Sequence, residues 1–153
     1  SGILDALAIA LKTENMDDSG FLEEEIDLGG VCINQKDVRQ IQLAKSAICA
    51  GILTLLEHQS LRAADIDRFI IAGGFGSSIN LDSAAAIGLF PAALRQKTDF
   101  IGNGALGGAV MLLRRHALRE ESARMASEAT ELSLSASPAF MDHYIDCMTF
   151  DTF

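Results

Sequence analysis

The chain has 153 residues, of which 49% are hydrophobic and 22% charged, with only 2 Pro. That profile is a folded domain with one core, too short for two ordinary domains and too apolar for a disordered chain. Its formal net charge of −9 repels phosphate backbones and anionic lipid, which sets nucleic acid and membrane surfaces aside as partners.

Ile3, Leu4, Leu7, Ala8 and Leu11 recur at helical spacing and predict a short amphipathic helix. Asp17-Asp18-Ser19-Gly20 is a turn cluster, and Phe21 to Leu28 and Val31 to Asn34 read as two strands joined at Gly29-Gly30. The acidic residues between Lys12 and Lys36, with no basic residue among them, read as a solvated hairpin edge ahead of a docking patch. Asn34 then caps a long helix with Asp37 in its first turn, and Ile41, Ala44, Ile48, Ile52, Leu55 and Leu56 form an apolar stripe running to Gln59. Its apolar run, Ile48 to Leu56, is far shorter than the roughly 20 residues of a membrane helix.

Arg68 to Ala72 is a continuously apolar strand of the kind covered on both faces, and it feeds the turn Gly73-Gly74-Phe75-Gly76. Asn80 or Asp82 caps a short helix through Ile87, ended by Gly88 and Pro91. A second strand covers Thr98 to Ile101, and Gly102-Asn103-Gly104 turns into a helix from Ala105 to about Leu118. Gly104, Gly107 and Gly108 leave one face of that helix bare, which implies another backbone pressed against it. Glu121 to Ala129 continues as helix, Glu131 to Leu134 reads as an edge strand, and Ser137-Pro138 starts a last helix. The order of elements indicates an α/β sandwich with a mixed sheet and flanking helices.

Ligands of open α/β sheets collect beyond the carboxyl ends of the strands, where Gly73, Gly74 and Gly76 stand. The pattern is neither a Walker A loop nor Gly-x-Gly-x-x-Gly, and a plain tight turn explains it about as well as a ligand loop. At Gly102-Asn103-Gly104 packing explains the glycines better than a ligand does. Lys36, Asp37, Arg39 and Lys45 read first as a solvated helix end. His58, His116 and His143 stand singly, and Met111, Met125, Met141 and Met148 read as core filler. Cys32, Cys49 and Cys147 lack metal-ligand spacing and read as reduced, mostly buried thiols of a cytoplasmic protein.

Several segments together resemble one family. Ile33-Asn34-Gln35-Lys36-Asp37-Val38-Arg39-Gln40-Ile41-Gln42-Leu43-Ala44-Lys45 is similar to the Gln-Lys-Asp-Ile-Arg-x-x-Gln-Leu-Ala-Lys block of the reductive activators of corrinoid-dependent enzymes. Asp65-Ile66-Asp67-Arg68 leading to Ala72-Gly73-Gly74-Phe75-Gly76, then Ile87-Gly88-Leu89-Phe90-Pro91, resembles the next block. Gly102-Asn103-Gly104-Ala105-Leu106-Gly107-Gly108-Ala109 resembles the Gly-Asn-x-x-x-x-Gly-Ala segment, and the tail Tyr144 to Phe150 resembles the family's C-terminus.

The resemblance implies an actin-like ATPase (RNase H-like) fold, with residues 1–153 as a single C-terminal lobe of a two-lobed ATP domain and residues 119–153 as an extension packed on it. It implies ATP with Mg2+ as cofactors and an adenosine-contact role for Gly73, Gly74, Phe75, Gly76 and Ser77. It implies nucleotide contact at Asn103, and at Ser1 and Gly2, where the family carries a Cys-Gly-Ser-Gly-Ile phosphate turn. Gly74 and Ser78 depart from the family's usual Gly-Ala-Phe-Gly-Asn. The chain opens without Met and is expected to be a fragment, with catalytic acids and an iron–sulfur cluster in absent domains. The implied activity is ATP-dependent return of a cobalt(II) corrinoid protein to cobalt(I) for methyl transfer, by a homodimer. The alternatives are a lobe of a sugar- or acetate-kinase-type phosphotransferase and a non-catalytic dimerisation lobe.

Overall fold

The structure is a computed structural model that describes residues 2–74 and 78–151. Helix α1 (Gly2–Lys12) turns at Thr13 to Gly20 into a small antiparallel hairpin, β1 (Ile26–Asp27) and β2 (Cys32–Ile33). The hairpin strands are shorter than the alternation predicts. Around them Glu23, Glu24, Glu25 and Asp27 are exposed, as a solvated edge requires.

The longest element, α2 (Gln35–His58), starts where the capping signal places it. Asn34 Oδ1 accepts the N–H of Lys36 at 2.8 Å and the Asp37 carboxylate accepts the N–H of Asn34 at 3.0 Å, a reciprocal capping box. The buried face of α2 is not the aliphatic stripe that periodicity marks. Ile48 and Leu55 are exposed, while Val38, Gln42, Lys45, Ser46, Cys49, Ala50, Gly51 and Thr54 are buried. Of its polar members, Gln42, Lys45 and Ser46 find partners about a hundred residues further along the chain, which no local pattern records, while Thr54 donates locally to Ala50 O.

Strands β3 (Phe69–Ile71) and β4 (Thr98–Phe100) pair in parallel, Phe69 against Thr98 and Ile71 against Phe100. Between them α3 (Leu81–Ala86), capped by the Asn80 carboxamide, and a 3-10 stretch at Ala92–Lys97 make the crossover. The class is α/β as expected, with the strands in two separate pairs rather than one sheet. The expectation that β3 is covered on both faces fails, since Ile70 is 47% exposed. The inner side of β3 joins the core, with Phe69 and Phe90 ring centroids 5.4 Å apart.

That core collects Leu4 and Leu7 of α1, Met16, Leu22, Ile33, Val38 of α2, Ala84 and Ala85 of α3, then Ile87, Phe90 and Leu94. Helix α1 packs on α3, and α2 packs mainly on α6 (Pro138–Asp146). Pro138 opens α6 as its residue type favours, although the Ser137 hydroxyl makes no capping bond.

Four other expectations need correction. The helix after β4 ends earlier: α4 (Gly104–Arg114) and α5 (Ala117–Glu128) are separated at Arg115, whose extended backbone breaks the helical ladder. Among the described residues no backbone presses on the glycine face of α4 at Gly107 or Gly108, where an added Cβ meets nothing within 4 Å. Met111, Met125 and Met141 are exposed rather than core filler, since neither α4 nor α5 buries any residue and Met141 is on the outer side of α6. Residues 131–133 form no strand, and a 3-10 turn follows at Leu134–Ala136.

Candidate functional site

Two glycine turns leave the same end of the parallel pair, one after β3 and one after β4. The sheet ladder continues past the strands: Ile101 N–H donates to Ile71 O at 3.2 Å, and Gly73 N–H donates to Gly102 O at 2.6 Å. Gly73 (φ +100°) and Gly102 (φ +62°) both adopt backbone that disfavours L side chains. Glycine at these two positions is what lets the chain leave both strands side by side.

The second turn becomes a helix start. Asn103 Oδ1 accepts the N–H of Leu106 at 3.0 Å, so the side chain is spent on capping α4. Gly104 has its own packing reason, because a Cβ there would stand 3.2 Å from Ile101 Cδ1 and 3.7 Å from Ala72 Cβ. At Gly73, Gly74 and Gly102 a Cβ would meet nothing within 4 Å among the described residues. Among the described residues the paired turns therefore form a ledge bare of side chains at Gly73, Gly74 and Gly102, a surface that a flat ring or a phosphate can approach closely.

Gly73, Gly74 and Asn103 are thus brought together. Phe75, Gly76, Ser77 and Ser1 lie outside the described residues. Gly2 is the first residue of α1, exposed and with free space around it. One turn on, Asp5 Oδ1 is shut from solvent with no hydrogen-bond partner among the described residues. Sequence reading missed this group, because a lone acid in a helix's first turn looks like an ordinary dipole partner.

The ledge is one wall and not a closed pocket. A cleft of about 460 Å³ opens beside the end of β4, lined by Ile79, Leu81, Asp82, Arg95, Gln96 and Phe100. A larger one, about 630 Å³, lies elsewhere, between α1, α3 and the C-terminal residues Phe150 and Asp151. Among the described residues no three His, Cys, Asp or Glu side chains converge to hold a metal ion. Cys32 is exposed on the hairpin while Cys49 and Cys147 are buried together, an arrangement that does not fit an iron–sulfur cluster in this chain.

The block that carried the resemblance is structural. Gln35 Nε2 donates to Gly20 O at 2.7 Å and its Oε1 accepts Leu22 N–H at 2.9 Å, tying the hairpin to α2. Gln42 Nε2 donates to Ser19 O and Met148 O, and Arg39 donates to Gln42 Oε1 at 2.7 Å. Lys45 is fully buried, with Nζ donating to Cys147 O at 2.8 Å and to Thr149 O, and lying 4.8 Å from the Phe150 ring centroid. Desolvation lowers the pKa of this ammonium below the usual lysine value. These side chains clamp the last residues onto α2, and no bound ligand is needed to explain them.

This α/β lobe belongs to the ASKHA class of folds. Residues 12–152 match the family described as the C-terminal domain of RACo, the ASKHA domain, and the chain belongs to that family. It is 36% identical over 119 residues to the corrinoid activation enzyme RamQ of Eubacterium limosum, covering 75% of this chain and 19% of that protein. It is 26% identical over 155 residues to the [Co(II) methylated amine-specific corrinoid protein] reductase of Methanosarcina barkeri, covering 95% of this chain and 27% of that protein. Among solved structures it superposes on a reductive activator for corrinoid, iron–sulfur protein with a TM-score of 0.83 and 29% identity, over 96% of this chain and 27% of that one. The chain thus spans roughly a fifth to a quarter of the length of these relatives.

Proposed function

We propose that this chain is the ATP-binding lobe of a reductive activator that returns an inactive cobalt(II) corrinoid protein to cobalt(I), in the cytoplasm. The observation that carries the reading is the paired glycine ledge, Gly73-Gly74 against Gly102-Asn103, inside a domain whose named relatives activate or reduce corrinoid proteins. The adenosine ring lies on the Gly73-Gly74 peptides, and an adenosine-contact role is assigned as well to Phe75, Gly76 and Ser77, which lie outside the described residues. The start of α1 at Gly2 faces the phosphates, where peptide N–H groups and the helix dipole favour negative charge, and the same contact is assigned to Ser1.

Among the described residues no three His, Cys, Asp or Glu side chains converge, and Mg2+ would be held chiefly by the phosphate oxygens of the nucleotide. Nucleotide binding biases one arrangement of the lobe against its neighbouring domain, and hydrolysis releases that bias, which drives docking or release of the corrinoid partner. An iron–sulfur cluster in a separate domain supplies the electron.

The test uses the full-length protein with ATP, a reductant and a cobalt(II) corrinoid protein. An ATP-dependent cobalt(I) absorption band is expected. If no such band forms while sugar or carboxylate phosphorylation does, the chain is a kinase lobe instead.

A second role is favoured by one observation. Leu106, Met111 and Leu113 of α4 are exposed beside the bare Gly107-Gly108 face, as a homodimer contact would require. Sedimentation of the full-length protein and of Leu113→Glu checks it: a dimer that the variant splits is expected, and a wild-type monomer removes this role.

A further inference from the structure

The tip of the β1–β2 hairpin carries an apolar pair that nothing in the fold covers. Ile26 pairs with Ile33 and Asp27 with Cys32 in antiparallel register, and Leu28 N–H donates to Val31 O at 2.9 Å. Side chains alternate across paired strands, so Ile26, Leu28, Val31 and Ile33 share one face. That face starts in the core, where Ile33 is buried, and runs out into solvent, where Leu28 is 55% and Val31 64% exposed. The opposite face carries Glu25, Asp27 and Cys32, all exposed, with the Cys32 thiol donating to Glu25 Oε2 at 3.3 Å. The turn stands clear, since a Cβ at Gly29 or Gly30 would meet nothing within 4 Å among the described residues. Among the described residues no ion pair neutralises Glu23, Glu24, Glu25 or Asp27. Solvation of a sheet edge accounts for these acids. It does not account for a Leu and a Val set opposite each other at the far end of the hairpin.

We propose that this tip docks on the corrinoid protein, with Leu28 and Val31 entering an apolar hollow ringed by lysine and arginine side chains. The proposal rests on the activator reading above and names the surface of this chain that meets the partner. Charge and size decide between occupants. A second copy, at a net charge of −9 per chain, would bring the same uncompensated acids against these ones and be repelled. A neighbouring domain held permanently would favour a larger and more apolar contact than two side chains inside a charged rim. A partner that docks and is released suits this arrangement. The acids speed encounter with a basic surface and fix its orientation, while Leu28 and Val31 supply the centre from which water is excluded.

The test measures binding of a cobalt(II) corrinoid protein to the full-length protein, with and without ATP. For Leu28→Ser combined with Val31→Ser, Kd is expected to rise about tenfold, mainly through faster dissociation. Glu24→Gln combined with Glu25→Gln is expected to slow association at low salt and to flatten its dependence on ionic strength. Amide exchange on the unsubstituted protein needs no variant to fold: residues 28–31 are expected to gain protection when the corrinoid protein is added. Wild-type Kd in the Leu28 and Val31 double variant overturns the inference and leaves the activator reading in place. So does a complex that forms without protecting residues 28–31. If the double variant alters only the sedimentation of the protein alone, the occupant is a second copy and the inference is again overturned. A full-length protein that binds no corrinoid protein in either condition removes the activator reading, and this docking surface with it.

Discussion

Gly73 donates its N–H to the carbonyl of Gly102, and this single bond sets the exits of β3 and β4 edge to edge. Each residue needs its glycine for backbone reasons, and neither has a neighbour that a Cβ would strike. Backbone strain and ligand access can therefore be separated by substitution. Gly74 lies outside the left-handed region and a Cβ there meets nothing within 4 Å among the described residues, so Gly74→Val is expected to lose ATP affinity at least tenfold with a smaller cost in stability than Gly73→Val. Gly73→Val forces a branched side chain to φ +100° and is expected to cost about 1–3 kcal/mol of stability besides. Urea titration and binding of a fluorescent ATP analogue to the full-length protein measure the two effects. Unchanged binding by Gly74→Val would remove the ledge from the nucleotide site.

The buried ammonium of Lys45 offers N–H groups to two carbonyls and a positive face to Phe150, so all of its surroundings are arranged for a cation. Lys45→Met keeps most of the volume and removes the side-chain donor to Thr149 O, while Cys147 O keeps only its bond from the Ser46 hydroxyl. The expected loss is about 2–4 kcal/mol by chemical denaturation, with faster proteolysis after residue 146. A variant as stable as wild type would show that the C-terminal strap over α2 does not depend on this cation.

Gly20 tests the other side of the same strap. Its φ is +82° and a Cβ would lie 2.6 Å from Phe150 Cε2, so Gly20→Ala must shift the ring as well as strain the turn. A loss of about 1–3 kcal/mol is expected, smaller in a Phe150→Leu background where the ring is gone. Equal losses in both backgrounds would assign the cost to the backbone alone.

Gly107 and Gly108 sit in an exposed helix with nothing near a new Cβ. Replacing each by Ala is expected to stabilise the chain by up to about 1 kcal/mol through helix propensity. If α4 docks closely in the full-length protein, the same pair lowers activity there, and activity assays beside melts separate the two.

Asp65 accepts hydrogen bonds from the Arg62 guanidinium and backbone, which hold its carboxyl well below the usual 3.8, at about 2. A depressed folded-state pKa contributes stability above 3.8 that is lost as pH falls through about 2. The wild-type melting temperature should therefore fall more steeply over that interval than that of Asp65→Asn. Parallel slopes would show that the contact is too solvated to matter.

Local chemistry carried much of the fold to the page. Asn34 and Asp37, Asn80, Pro138 and the helical spacing of Ile3 to Leu11 each act within a few residues, so their elements are where the chain order places them. The glycines after Ile71 and Ile101 likewise mark turns whatever surrounds them. Which face of α2 is buried was decided elsewhere. Gln42, Lys45 and Ser46 are core residues because carbonyls of residues 147–149 arrive to meet them, and a window of hydrophobic periodicity cannot contain a partner about a hundred residues away. Tertiary structure also decided that the two glycine turns form one ledge, through parallel pairing of strands separated by a crossover, and that the bare face of α4 stays open. Caps and turns follow from short-range hydrogen bonding, whereas burial and juxtaposition depend on which distant segments the folded chain brings together.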